Sequence, residues 1–165
     1  MKAKSFRILG ACVLLTFLAP AAASAADAPS PFLGKWQLDT ARMPATYGPP
    51  PKSVIFSFED VGSDQWRTTV DITGRDDSVR HMAVQYRRDG RMVRGEGDMT
   101  EADSAAFMSP APNVLVMSLG KDRRLGSVRV YAVSADGKEM TESATNVDQD
   151  GAPFVRKFHF KRVSP

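Results

Sequence analysis

The side chains best placed to do chemistry in this 165-residue chain are charged ones set into otherwise apolar strand faces. Alternation puts Phe154, Arg156, Phe158, Phe160 and Arg162 on one face of a C-terminal strand. Arg80 shares a face with Met82, Val84 and Tyr86 in the same way, and Glu142 shares one with Met140 and Ala144. An arginine turned into a protein interior is costly unless it is paired, so each inward one calls for a carboxylate of the same chain or an anionic ligand. Arg156 with Glu142, on neighbouring strands, is the expected pair. For Arg80 and Arg156 the first reading is a structural ion pair or a rim position, and the second is the anchoring of a ligand. Glu142 beside Arg156 is also the one residue to which a general base would fall if the chain were an enzyme.

Other chemistry finds little support. Asn146 to Gly151 matches the first half of a calcium loop, but its twelfth position is Lys157 where a bidentate glutamate is needed, which leaves an acidic hairpin turn. His81 and His159 fall opposite the apolar faces of their strands, in no ligand spacing, so they are read as solvent-exposed and no zinc or haem site is expected. No nucleophile elbow, phosphate loop or dinucleotide fingerprint is present; Gly95-Glu96-Gly97 lacks the third glycine and the helix. No catalytic residue, metal or cofactor is expected.

The elements that position these groups follow an export signal. Residues 1–25 carry a basic start (Lys2, Lys4, Arg7), an apolar run from Ile8 to Leu18 and the small-residue site Ala23-Ser24-Ala25, with cleavage expected after Ala25. The run is too short to span a bilayer. Most of it follows Cys12, so Leu9-Gly10-Ala11-Cys12 is not read as a lipoprotein box and no stable membrane anchor is expected. Of 22 basic residues the signal takes three and none of the 19 acidic ones, which leaves a balanced mature chain and no case for nucleic acid. The single cysteine leaves too, so a periplasmic or secreted product would be held by its core alone. A flexible leader, 26–31, then precedes one domain, 32–163.

Period-2 alternation dominates that domain, and it reads as all-β. Strands are expected at 32–39, 53–59, 66–72 and 80–88, and near 91–96, 103–108, 113–119, 125–133, 138–146 and 153–163. Asp-Gly pairs at 89–90, 136–137 and 150–151 supply tight turns, with sequential neighbours pairing antiparallel. Segment 99–112 carries a competing helical turn over Glu101 to Met108, ended by Ser109-Pro110-Ala111-Pro112. Thr40 to Lys52, with Gly48-Pro49-Pro50-Pro51, reads as a stiff extended connector, with a lid over a barrel mouth as its alternative.

Gly34-Lys35-Trp36 in the first strand, the run Gly48 to Ser53, the turn Val133 to Lys138 and the C-terminal strand together resemble the calycins, the group of lipocalins and fatty-acid-binding proteins. Small exported bacterial lipocalin-like proteins are the nearer resemblance. It implies an antiparallel up-and-down barrel of eight to ten strands able to hold one small apolar molecule. It implies that Gly34, Trp36 and Arg162 form a structural motif, with Arg162 packed on Trp36. Arg156-Lys157-Phe158 keeps the arginine of the carboxylate-gripping Arg-x-Tyr of fatty-acid-binding proteins and loses the hydroxyl, and no helical lid is expected from Thr40 to Lys52.

The leading expectation is therefore a noncatalytic binding barrel, with Arg80 and Arg156 orienting a ligand among Val70, Met82, Tyr86, Phe158 and Phe160. A filled barrel acting through its surface is the alternative, and it requires that no cavity of ~300 Å³ or more exist. An isomerase or hydrolase of calycin type stands third.

Overall fold

The computed structural model describes residues 29–148 and 150–164, so the expected signal and the first part of the leader lie outside the described residues. Eleven strands follow one another: β1 (Gly34–Leu38), β2 (Ser53–Gly62), β3 (Gln65–Thr73), β4 (Val79–Tyr86), β5 (Val93–Arg94), β6 (Glu96–Gly97), β7 (Ser104–Ala111), β8 (Val114–Lys121), β9 (Arg124–Val133), β10 (Glu139–Val147) and β11 (Pro153–Ser164). They form one antiparallel sheet in the order β5-β7-β8-β9-β10-β11-β1-β2-β3-β4-β6. Alternation drives the curl: one face of each long strand carries the aromatic and aliphatic residues that leave water together, at about 1.5–3 kcal/mol per large side chain.

Closure depends on a short segment. β5 and β6 are the two edges of the sheet, yet only Gly95 separates them in the chain. β5 pairs with β7 (Val93 opposite Ala105), and β6 pairs with β4 (Met82 opposite Gly97), so residues 93–97 pass from one edge to the other and nearly close the barrel. Gly97 is required there. Its φ is +84°, and a Cβ would collide with the His81 carbonyl oxygen of β4.

Two local expectations are corrected, and a choice between two readings is decided. Asp89-Gly90 makes no hairpin between its flanking strands, because β4 takes β6 as partner and β5 takes β7. The strand expected near 103–108 is present as β7, whose Ala105, Ala106 and Phe107 are buried against β8, and the competing helical turn over Glu101 to Met108 does not form. That strand also runs through Pro110: register shifts between Met108 and Ala111, an irregularity in which a missing N–H breaks no ladder bond. Finally, Thr40–Arg42 and Ala45–Tyr47 are two single 3-10 turns, where an extended connector was expected.

One end of the barrel is packed solid. Phe32 and Trp36 are fully buried, and the Phe32 ring lies 5.8 Å from Phe58 and 6.5 Å from Trp66. The Trp36 indole N–H donates to the Phe32 carbonyl at 2.8 Å. Ser30 and Pro31, expected to be mobile, sit in a turn closed by Leu33 N–H on Ser30 O at 3.1 Å, and Arg162 donates to the Pro31 carbonyl.

Candidate functional site

Above that packed end the barrel is hollow. The cavity has a volume of about 330 Å³. Its walls are mainly apolar, with Val54 and Phe56 from β2, Val70 from β3, Met82 from β4, Leu119 from β8, and Phe158 and Phe160 from β11. The segment 95–105, which links the closing strands to β7, forms part of the lining beside Asn146 and Phe154. Successive inward residues of β11 pass from Phe154 and Arg156, through Phe158 and Phe160 on the wall, to Arg162 at the packed end.

A charged cluster interrupts the apolar wall. Arg129 of β9 lies with one Nη 3.4 Å from Glu142 Oε1 on β10, and its other Nη donates to Glu101, which reaches in from the segment after β6. Glu142 is 3% exposed; Glu101 is largely open to solvent. Tyr131, on the same face of β9 as Arg129, is 1% exposed; its hydroxyl makes no well-formed hydrogen bond among the described residues, yet it lies close enough to Arg129 and Glu142 to act on both. The Nε of Arg129 is likewise buried and unpartnered. Burial pushes the Glu142 carboxyl up to about 7, against the opposing pull of Arg129 and with a further push from Glu101. Arg129 is held above its ordinary value: burial lowers it, but Tyr131, Glu142 and Glu101 outweigh that. Burial, reinforced by Glu142, raises the Tyr131 phenol well above its usual range. Burial of the carboxyl outweighs the attraction of Arg129, so Glu142 keeps its proton to higher pH than an ordinary carboxyl does.

At the mouth, Arg156 is exposed and meets aromatic faces. Its guanidinium carbon lies 5.1 Å from the ring centres of both Tyr47 and Phe154. Tyr47 belongs to the second 3-10 turn; its ring packs 5.6 Å from Phe158, and its hydroxyl accepts the Lys157 N–H at 3.0 Å. The segment read as a plain connector therefore sets one aromatic side chain over the rim.

The sequence-derived residues divide into those on the cavity wall and those off it. Val70, Met82, Arg156, Phe158 and Phe160 line the cavity. Tyr86 does not: it is buried in the core, stacks on Phe107 at 3.5 Å and shares a 2.8 Å hydrogen bond with Thr68. Arg80 stands outside the lining, half-exposed, 3.9 Å from Asp98. The expected Arg156–Glu142 pair does not form. Register sets Glu142 opposite Phe158 and Arg156 opposite Ala144, and Glu142 turns to Arg129 instead. Gly34 adopts φ 111°, and Arg162 lies 4.1 Å over the Trp36 ring. His81 is exposed and bonded to Asp71 at 2.6 Å, whereas His159 is half-buried.

Sequence reasoning missed Arg129, Glu101, Tyr131 and Tyr47. In β9 the outward residues Val128 and Val130 look more like core than the inward Ser127 and Arg129 do, so alternation alone favours the wrong face. The available signal was Glu142, an inward acid in search of a base. Among the described residues no group of three His, Cys, Asp or Glu side chains is placed to hold a metal ion.

No family model matches the sequence, and no curated protein matches it. Among solved structures, two point mutants of the fluorescent protein UnaG superpose with TM-scores of 0.54 and 0.53, at 13% and 12% identity, over 82% and 80% of this chain and 98% and 96% of theirs. A zebrafish ileal bile acid-binding protein in complex with cholic acid is similar over 81% of this chain and 100% of its own, at 15% identity and a TM-score of 0.49. These neighbours are calycin barrels of the fatty-acid-binding-protein kind. At such identities the likeness is one of fold.

Proposed function

We propose that this chain is a noncatalytic carrier that holds one small apolar or amphipathic molecule inside its barrel. The observation that carries the reading is the cavity of about 330 Å³, walled by aliphatic and aromatic side chains and interrupted by a few convergent polar groups. Its size counts against the filled-barrel alternative. Glu142, the candidate general base, is engaged by Arg129, which favours a positioning role over proton abstraction. Export belongs to the same reading: the basic start, short apolar run and Ala23-Ser24-Ala25 support removal of residues 1–25 as a signal, and a periplasmic or secreted carrier.

The test is direct. Purified protein is expected to bind fluorescent fatty-chain probes in a one-to-one complex and to release a co-purifying small molecule to mass spectrometry after organic extraction. If no probe binds and extraction yields nothing above a buffer control, the carrier reading fails.

A further inference from the structure

Every acid on the cavity wall is answered by a group of the chain itself. Arg67 meets Glu96 at 2.9 Å, Arg80 approaches Asp98 at 3.9 Å, and Asp103 accepts the Asp122 N–H at 2.9 Å and the Ser104 hydroxyl at 2.8 Å. The remaining two, Glu101 and Glu142, flank the guanidinium of Arg129, and all three side chains line the cavity. Arg156, the other cation of the lining, stands at the exposed mouth against the rings of Tyr47 and Phe154, where water screens any ion pair it forms.

One guanidinium needs one counter-charge, and the two carboxyl groups do not meet that need on equal terms. Glu101 comes from the segment between β6 and β7, and its side chain is 46% open to water; Glu142 is 3% exposed. An ionised carboxylate keeps part of its hydration at Glu101 and loses nearly all of it at Glu142. Glu101 therefore carries the charge, and Glu142 keeps its proton, its carboxyl pushed up to about 7 by burial. The cluster is then neutral. The place that a ligand's carboxylate would take on the arginine of the cavity wall is already filled by a carboxylate of the chain.

On the carrier reading above, we infer that Glu101 is a built-in counter-ion that bars anionic amphiphiles from Arg129, and that the cavity takes an uncharged one. Its hydroxyl or carbonyl head lies against Glu142, its tail among Val70, Met82, Phe158 and Phe160. A second anion would leave the cluster with an unbalanced charge in a low-dielectric interior, and a cation would need Glu142 to give up the proton that burial retains. An uncharged oxygen needs neither. It accepts from the neutral Glu142 carboxyl, and the buried Arg129 Nε, a donor with no well-formed bond among the described residues, adds to the demand for an acceptor.

Calorimetric titration of the purified protein at pH 6 with decanol, decanoate and decylamine, each below its aggregation threshold, reads the head group because the tail is constant. The wild-type protein is expected to bind decanol about tenfold or more tighter than either ion. Any apolar cavity favours the uncharged probe to some degree, so the decisive step is to remove the counter-ion. Glu101→Gln, on a segment outside the strands, is made alone and together with Glu142→Gln, which keeps the second carboxyl from ionising in place of the first. Decanoate is expected to gain about tenfold or more in the double variant, while decanol changes by no more than about twofold. Decanoate binding to the wild-type protein as tightly as decanol overturns the inference and leaves the carrier reading standing. Decanoate affinity that rises in neither variant overturns the role of Glu101. If none of the three probes binds, the carrier reading falls and the inference with it.

Discussion

Arg162 and Arg129 are both inward arginines of one barrel, and their surroundings differ in kind. Arg162 donates from Nε to the Gly137 carbonyl at 2.7 Å and from Nη1 to the Leu33 carbonyl at 2.6 Å, reaches the Pro31 carbonyl with its other Nη, and sits over the Trp36 ring. Its partners are backbone dipoles and an indole face, so burial lowers its proton affinity without any counter-charge to restore it. Arg129 instead faces two carboxylates, leaves Nε unpartnered, and borders a cavity. The first arrangement ties the chain's turn and termini-proximal strands into one piece; the second sets one guanidinium between two carboxyl groups and leaves one of its donors unused. One is a fastening, the other the candidate site.

The sharpest way to break that contrast is at the fastened end. Trp36→Ala removes a fully buried indole, the face on which Arg162 rests and the bond to Phe32, and is expected to cost about 3–5 kcal/mol in urea unfolding. A loss below about 1 kcal/mol would mean that the packed end is not where the barrel is held.

At the site, stability should depend on pH. Glu142 holds its proton to about 7 in the folded chain, against 4.5 as its ordinary value, so between those values the native state keeps a proton that the unfolded chain has lost. The contribution is fully present below 4.5 and lost as pH rises through 7, a fall of order 3 kcal/mol or less. Glu142→Gln should flatten this window. Unfolding midpoints of the two proteins at pH 5 and pH 8 measure it, and a parallel pH course in both would remove Glu142 as the cause.

Arg129→Met is a smaller perturbation than its burial implies. Orphaning a buried charge ordinarily costs ~3–5 kcal/mol, but Glu142 can answer by staying protonated. The expected cost is about 1–2 kcal/mol at pH 8, nearly vanishing at pH 5. A cost of equal size at both values would show that Glu142 stays ionised in the folded protein.

The fastened end was legible in the sequence and the site much less so, for a physical reason. Trp36, Phe58, Trp66 and the Asp-Gly turns at 136–137 and 150–151 are read from local pattern, because apolar alternation and positive-φ glycine act within a few residues. The cluster of Glu101, Arg129 and Glu142 joins three segments through register, which no single segment reveals. β9 actively misleads, since Val128 and Val130 face outward while Arg129 and Tyr131 face in. Arg156 and Glu142 looked like partners because both lie inward on adjacent strands; a two-residue offset in the ladder separates them.

Arg156 offers the mildest test, since it is neither fastened nor clustered. No carboxylate lies within ion-pair distance of it among the described residues, and its contacts are the faces of Tyr47 and Phe154 at an exposed rim. Cation–π stacking at such a position is worth about 0.5–1 kcal/mol at most, partly regained by solvation of the freed rings' surroundings. Arg156→Ala is therefore expected to move the unfolding free energy by no more than about 0.5 kcal/mol, while binding of a decyl-chain probe changes through the mouth alone. A destabilisation above about 2 kcal/mol, matching a buried ion pair, would place Arg156 with the fastenings and erase the distinction between the two ends of β11.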